Sequence, residues 1–212
     1  LTKKLVKKNI EVTAFEIDKS LKQYLDTIDV NNLKVIYEDF LDVKLRDYFS
    51  DNDKLYVIAN IPYYITTPII TKFIKEKFIP EVMVLMVQKE VAERLSSKPK
   101  TSSYGAITVL LNYYFDIEYL FTVDRSEFYP VPNVDSAIIK LVKKKINLEC
   151  DYNSFKAIVN AAFKQKRKNL KNNFKGYDLD KISVVLEKYN LSLTNRAEDL
   201  SYEIFVEISN IL

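Results

Sequence analysis

Asn60-Ile61-Pro62-Tyr63 stands directly after the apolar run Leu55-Tyr56-Val57-Ile58-Ala59 and runs on into Tyr64-Ile65-Thr66-Thr67-Pro68. A buried strand that delivers an amide, a proline and an aromatic ring to its carboxyl end is built to hold a flat ring that carries an amine. The exocyclic amine of adenine is a poor nucleophile because its lone pair is delocalised into the ring. An enzyme must therefore bind that amine in a geometry that favours pyramidal nitrogen, and two hydrogen-bond acceptors can do this. The side-chain oxygen of Asn60 and the backbone carbonyl of Pro62 can each accept one N–H, and Tyr63 can stack on the base. No general base is obligatory when the nitrogen attacks a methyl group on a sulfonium, where the leaving group is good and positioning supplies most of the catalysis. On its own, Asn-x-Pro after a strand is more often a turn, since proline fixes its own φ and biases its predecessor toward extended backbone. The aromatic residue and the apolar strand before it reverse that balance.

Three segments carry a resemblance to a known family. Asn60 to Ile70 (NIPYYITTPII), Gln88 to Leu95 (QKEVAERL) and Phe128 to Leu141 (FYPVPNVDSAIIKL) resemble, in this order and spacing, the KsgA-type ribosomal RNA adenine N6-dimethyltransferases, over nearly the whole chain. The Erm antibiotic-resistance group shares the Asn-Ile-Pro-Tyr core, but Tyr64 and Val134-Asp135-Ser136 are more similar to the KsgA side. The resemblance implies a Rossmann-like α/β fold with a small helical C-terminal domain, S-adenosylmethionine as methyl donor, and two neighbouring adenosines of small-subunit ribosomal RNA, in a hairpin loop, as substrate. It implies that Tyr63 and Phe128 contact the target adenine. It also matches Glu16 and Asp39, at the ends of two candidate strands, to the family's contacts with the cofactor's ribose and adenine. The immature small ribosomal subunit is the implied partner, and a looped-out adenine is cheap to extrude. Two alternatives are an Erm-like large-subunit methyltransferase and a ribosome-assembly factor whose binding matters more than its methylation.

The family's cofactor site opens with a strand and a glycine-rich loop followed by Leu-Thr, whereas this sequence starts at Leu1-Thr2 and holds only two glycines, Gly105 and Gly176. Neither glycine follows a strand in a way that lets backbone approach a ligand closely. The expectation is a sequence truncated at its front.

Composition narrows the remaining classes. With 212 residues, 48% of them apolar, the chain can fold one ordinary domain plus a small second one. Its longest apolar run, Val82 to Val87, is far short of the roughly 20 residues a transmembrane helix needs. One cysteine, Cys150, cannot form an internal disulfide, and the absence of histidine removes the commonest metal ligand and the usual acid–base residue. A reducing, cytoplasmic setting and a metal-free mechanism are expected.

A net charge of +3 does not announce a nucleic-acid binder, but its distribution is uneven. Lys164, Lys166, Arg167, Lys168, Lys171 and Lys175 are accompanied by no acidic residue. On a helix running from Phe155, the residues Phe155, Ile158, Val159, Ala162, Phe163, Leu170 and Phe174 fall on one side. Lys164, Arg167, Lys168, Lys171 and Lys175 fall on the other, and Lys166 lies within the apolar side. A run of like charge is usually a solvated face; with no compensating carboxylate, contact with RNA phosphates is expected.

These residues need elements to hold them. Ile10 to Ile17, with Glu16 near its end, and Leu33 to Tyr37, leading to Asp39, read as strands around a helix from Ser20 to Thr27. That alternation signals a parallel sheet with helices on both faces, its carboxyl edge lined by Glu16, Asp39 and Asn60. Thr67 to Lys77 reads as a helix with Pro68 first, Val82 to Val87 as a strand, and Lys89 to Leu95 and Tyr104 to Tyr114 as helices. Ile117 to Val123 and Ser136 to Val142 read as strands. After Lys143-Lys144-Lys145 only helices follow, at Asn153 to Phe174, Asp180 to Tyr189 and Ser201 to Ile211. The expected domains are a catalytic domain over residues 1–147 and an RNA-binding helical domain over residues 148–212.

Overall fold

The structure, a computed structural model, describes residues 1–212. It divides into two compact units, Leu1–Asp53 with Tyr64–Phe78, and Lys54–Tyr63 with Ile79–Leu212.

The first unit holds α1 (Thr2–Leu5), β1 (Val12–Phe15), α2 (Lys22–Leu25), β2 (Leu33–Ile36) and α3 (Thr66–Lys75). β1 and β2 pair in parallel, Val12 opposite Leu33 and Phe15 opposite Ile36. Phe15 meets the rings of Phe40 and Tyr48 edge-on at 5.1 and 5.2 Å, and Phe40 in turn packs on Phe73 of α3. The apolar spacing of α3 explains its docking, because Ile69, Ile70, Phe73 and Ile74 fall on one stripe and are all buried. Pro68 occupies the third helical position, two later than its expected place at the start. The chain tolerates it there because the first four N–H groups of a helix have no intrahelical acceptor.

A second device ties α3 to the segment after β2. The Lys72 ammonium donates to the carbonyls of Leu41 and Val43 and to Glu76 Oε1 at 2.6 Å, while Glu76 Oε2 accepts the Leu45 N–H at 2.7 Å. Burial raises the Glu76 pKa, but the hydrogen bonds from Lys72 and Leu45 outweigh it and leave the carboxyl below its ordinary value of 4.5.

The second unit contains a mixed four-stranded sheet in the order β3 (Tyr56–Asn60), β4 (Val82–Gln88), β6 (Ser136–Lys143), β5 (Phe115–Val123). Only β3 and β4 are parallel; β4 with β6 and β5 with β6 are antiparallel. The parallel pairing expected from the sequence is present in β1–β2 and β3–β4, and β5 and β6 add antiparallel strands in a second ladder. β5 and β6 are joined by a loop with no crossover helix, which leaves them antiparallel. One face of the larger sheet is sealed, since Met83, Leu85, Val87, Ala137, Ile139 and Leu141 are fully buried. Helices α4 (Lys89–Leu95) and α5 (Ala106–Asn112) pack on its strands.

The remaining helices are α6 (Tyr152–Ala162), α7 (Leu170–Asn173), α8 (Leu179–Glu187) and α9 (Tyr202–Ile211). Their core runs without a break into α5 and its flanks, joining Phe155, Phe174 and Phe205 to Tyr104, Val109 and Tyr113. Side chains from before residue 148 thus complete the helical core that follows it. No helix is long and apolar enough to cross a membrane.

The charge on Glu76 carries a pH signature. A carboxyl held below its unfolded pKa stabilises fully above that value and loses its contribution as pH falls through the folded pKa. Glu76→Gln is expected to cost about 2 kcal/mol near neutrality, since it weakens charged hydrogen bonds and leaves Lys72 short of a partner. Urea unfolding at stepped pH should show the gap between wild type and variant closing as pH drops below about 4.5.

Candidate active site

Asn60 is the last residue of β3 and stands opposite Met86 of β4, which in turn faces Ile138 of β6. Directly opposed residues share a sheet face, so Asn60, Met86 and Ile138 form one row across three strands. Asn60 and Pro62 are exposed, and Tyr63 is half-buried. The Tyr63 hydroxyl and the Ser136 Oγ share a hydrogen bond of 2.7 Å. Ser136 opens β6 and is fully buried, two residues before Ile138 and hence on the same face as Asn60. The Tyr63 side chain thus bridges from the end of β3 to the start of β6, with β4 between them in the sheet.

Phe128 lies in the β5–β6 loop, half-buried, and is followed by the fully exposed Tyr129. The stem of that loop is pinned while its tip is open. Asp135 accepts the Arg125 N–H at 3.2 Å, and its own carbonyl accepts the Lys89 N–H at 3.0 Å at the start of α4. Asp124 accepts the N–H and hydroxyl of Ser126 at 2.8 and 2.7 Å, and these two bonds hold its carboxyl below the ordinary aspartate value. An open depression of about 520 Å³ at this stem is lined by Lys89, Glu90, Glu93, Asp124, Arg125, Asn133, Val134 and Asp135.

In the first unit, Glu16 and Asp39 follow the carboxyl ends of the two parallel strands. Glu16 Oε1 accepts the Asp18 N–H at 2.9 Å and Asp39 Oδ1 accepts the Leu41 N–H at 2.8 Å. Each carboxylate caps its own turn with one oxygen and keeps the other as an acceptor. Glu16 and Asp39 share the end of one ladder and Asn60 ends another, so the single edge of three residues expected from the sequence is not formed by one sheet.

The basic run also departs from expectation. The helix predicted from Asn153 to Phe174 ends at Ala162, turns through Phe163 to Asn169, and resumes as α7. Asn173 is the cause: its buried amide donates to the Ala162 and Gln165 carbonyls at 2.6 and 3.2 Å and its oxygen accepts the Gln165 N–H. Asn169 adds a cap, accepting the Asn172 N–H. Lys164, Arg167, Lys168, Lys171 and Lys175 are all exposed on this turn and its flank, and the apolar residues expected beneath them are indeed buried or half-buried. Lys166 donates to the Ser102 carbonyl. No cluster of three or more metal-ligating side chains is present.

Sequence similarity now bears on this geometry. The family model described as ribosomal RNA adenine dimethylase matches residues 1–212. This chain belongs to that family. It is 40% identical, over an alignment of 226 positions, to the ribosomal RNA small subunit methyltransferase A of Bacillus mycoides, with all of this chain and 77% of the relative covered. The Bacillus cereus protein of the same name matches to the same extent. Among solved structures, a dimethyladenosine transferase from Plasmodium falciparum superposes with a TM-score of 0.76 at 26% identity, covering 93% of this chain and 80% of that one. The 23S rRNA methyltransferase ErmE shares the fold, with a TM-score of 0.68 at 24% identity over 94% of this chain and 81% of its own. The chain is accordingly an enzyme of the adenine-dimethylating methyltransferases that act on ribosomal RNA.

Proposed function

We propose that this chain is a small-subunit (16S) ribosomal RNA adenine N6-dimethyltransferase that acts in ribosome biogenesis on two adjacent adenosines of a 3′-terminal hairpin loop. The observation that carries the reading is the strand end itself. Asn60 is exposed at the close of β3, and three residues later Tyr63 is tied by its hydroxyl to Ser136. Identity of 40% to small-subunit enzymes across the whole chain supports the choice of RNA, whereas the likeness to ErmE bears on fold alone and gives the large-subunit alternative less support.

In this reading the Asn60 side-chain oxygen and the Pro62 carbonyl accept the two N–H groups of the target adenine's amine. Tyr63 and Phe128 hold the base by stacking. S-adenosylmethionine, when bound, supplies a methyl group on a positively charged sulfonium. The residues present suit its nucleoside part: Glu16 and Asp39 are acceptor-only groups at strand ends, each with one oxygen uncommitted, matched to ribose hydroxyls and an amino group respectively. Asn60 also belongs to the cofactor contacts we assign. Residues 1–147 carry the chemistry in this assignment, and residues 148–212 bind RNA through Lys164, Arg167, Lys168, Lys171 and Lys175.

Incubation with immature small and large subunits, in parallel, and isotope-labelled S-adenosylmethionine, followed by mass mapping of each RNA, tests the assignment. Two adjacent N6,N6-dimethyladenosines in one hairpin loop of the small-subunit RNA are expected; label confined to large-subunit RNA would refute it. Asn60→Ala should lower kcat by a factor on the order of 10² to 10³ and barely change RNA affinity, as for other single preorganised hydrogen-bonding groups. Phe128→Ala should weaken base capture by roughly 1–3 kcal/mol.

The basic turn makes a separate prediction. Each neutralised phosphate contributes about −0.7 to −0.9 to the slope of log K against log salt. Replacing Arg167, Lys168 and Lys171 together with Gln should flatten that slope by roughly two to three units. These side chains are exposed, so stability should stay within about 0.5 kcal/mol per substitution. An unchanged slope would make the turn an ordinary solvated surface.

A further inference from the structure

We infer that Ser136 is a positioning residue for the target base: its hydroxyl fixes the Tyr63 ring and so presets the surface on which the adenine stacks. This rests on the proposed reading of Tyr63 and adds to it a role for a residue that never touches RNA.

The two residues are separated by 73 positions in sequence, yet their hydroxyl oxygens lie 2.7 Å apart. Ser136 has no solvent exposure, so its hydroxyl cannot turn to water for a partner. Its backbone is held on both sides, opposite Gln88 of β4 and Val123 of β5. The serine is therefore a fixed post and the tyrosine the adjustable partner. A half-buried tyrosine held only at its backbone can exchange χ1 rotamers, and each exchange sweeps the ring away from a given stacking position. Anchoring the hydroxyl as well fixes the direction of the ring axis at both ends, because the phenol oxygen lies on the axis that runs from Cβ through the ring. Stacking then has less of the protein to order, and such preorganisation favours both affinity and rate.

The position of Ser136 adds a second consequence. It follows directly on the loop that carries Phe128, whose stem Asp135 pins through Arg125 and Lys89. The Tyr63–Ser136 bond thus joins the strand-end motif to the strand that terminates the Phe128 loop.

The test uses the full chain in three variants, Ser136→Ala, Tyr63→Phe and the double change, with Ser136→Thr as the hydroxyl-retaining control. Three-bond NMR couplings of Tyr63 in the RNA-free protein should report one χ1 rotamer in wild type and Ser136→Thr, and averaged rotamers in Ser136→Ala. A single rotamer in Ser136→Ala would overturn the inference. In methyl transfer to the small subunit, each single change should lower kcat/KM by about 3- to 10-fold, the worth of one hydrogen bond. The double change should cost no more than either single one, because both remove the same bond. Losses that multiply would show that Ser136 acts elsewhere, for example only on sheet stability. Should Ser136→Ala fail to fold, Tyr63→Phe removes the bond from the half-buried side, and full activity in that variant would equally overturn the inference. The rotamer measurement needs neither RNA nor methyl donor, so its failure is distinguishable from a failure of the functional reading, which the mapping of labelled RNA tests.

Discussion

The β4–β6 ladder is the constraint on which the rest of the second unit depends. Six side chains with no exposed surface, Met83, Leu85, Val87, Ala137, Ile139 and Leu141, alternate along these two strands and lock their register. A slip by one residue would turn every one of them to the opposite face. That register puts Met86 opposite Ile138 and Gln88 opposite Ser136, and the parallel pairing of β3 on β4 then puts Asn60 opposite Met86. The groups proposed to carry the chemistry thus inherit their places from an apolar core that carries none. Substitutions that disturb this core would reach the strand end without touching it.

Rigid strands with an open loop tip between them suit a substrate that must be taken out of a stack. Stacking surfaces work best when already ordered, while the segment that admits a nucleotide needs access. In the proposed reading one loop meets both needs: Asp124 and Asp135 close its stem by accepting backbone N–H groups, and Tyr129 at the tip is fully exposed. In the first unit the same economy appears at smaller scale, where the Lys72–Glu76 pair satisfies three backbone groups and so fixes the segment that follows Asp39.

Much of this was legible in the sequence wherever period and length agreed. The helix Lys89–Leu95 has the predicted bounds, and strand β4 extends the predicted run by one residue. Buried strands of β-branched and long apolar residues bounded by polar turns leave few alternatives. The long helix from Asn153 failed because the apolar spacing continues at Leu170 and Phe174 after the backbone has already turned. The agent of that turn, the Asn173 side chain, acts as a surrogate for backbone and has no periodic signature. The lysine run at 143–145 signals a change in composition, but the core that unites Tyr113 with Phe155 depends on tertiary packing that local pattern does not encode. Likewise Ser136 stood in plain view within Val134-Asp135-Ser136, and only the fold reveals that its partner is Tyr63.

The central claim is that two acceptors, Asn60 and the Pro62 carbonyl, hold both N–H groups of the target adenine. NMR of a hairpin RNA labelled with 15N at that amine, bound to the chain, reads this directly. Both amino protons should be shifted downfield and protected from exchange with water in the complex, and Asn60→Ala should release one of them and leave the other. Protons that stay freely exchanging in the wild-type complex, or a spectrum that Asn60→Ala leaves unchanged, would contradict the account.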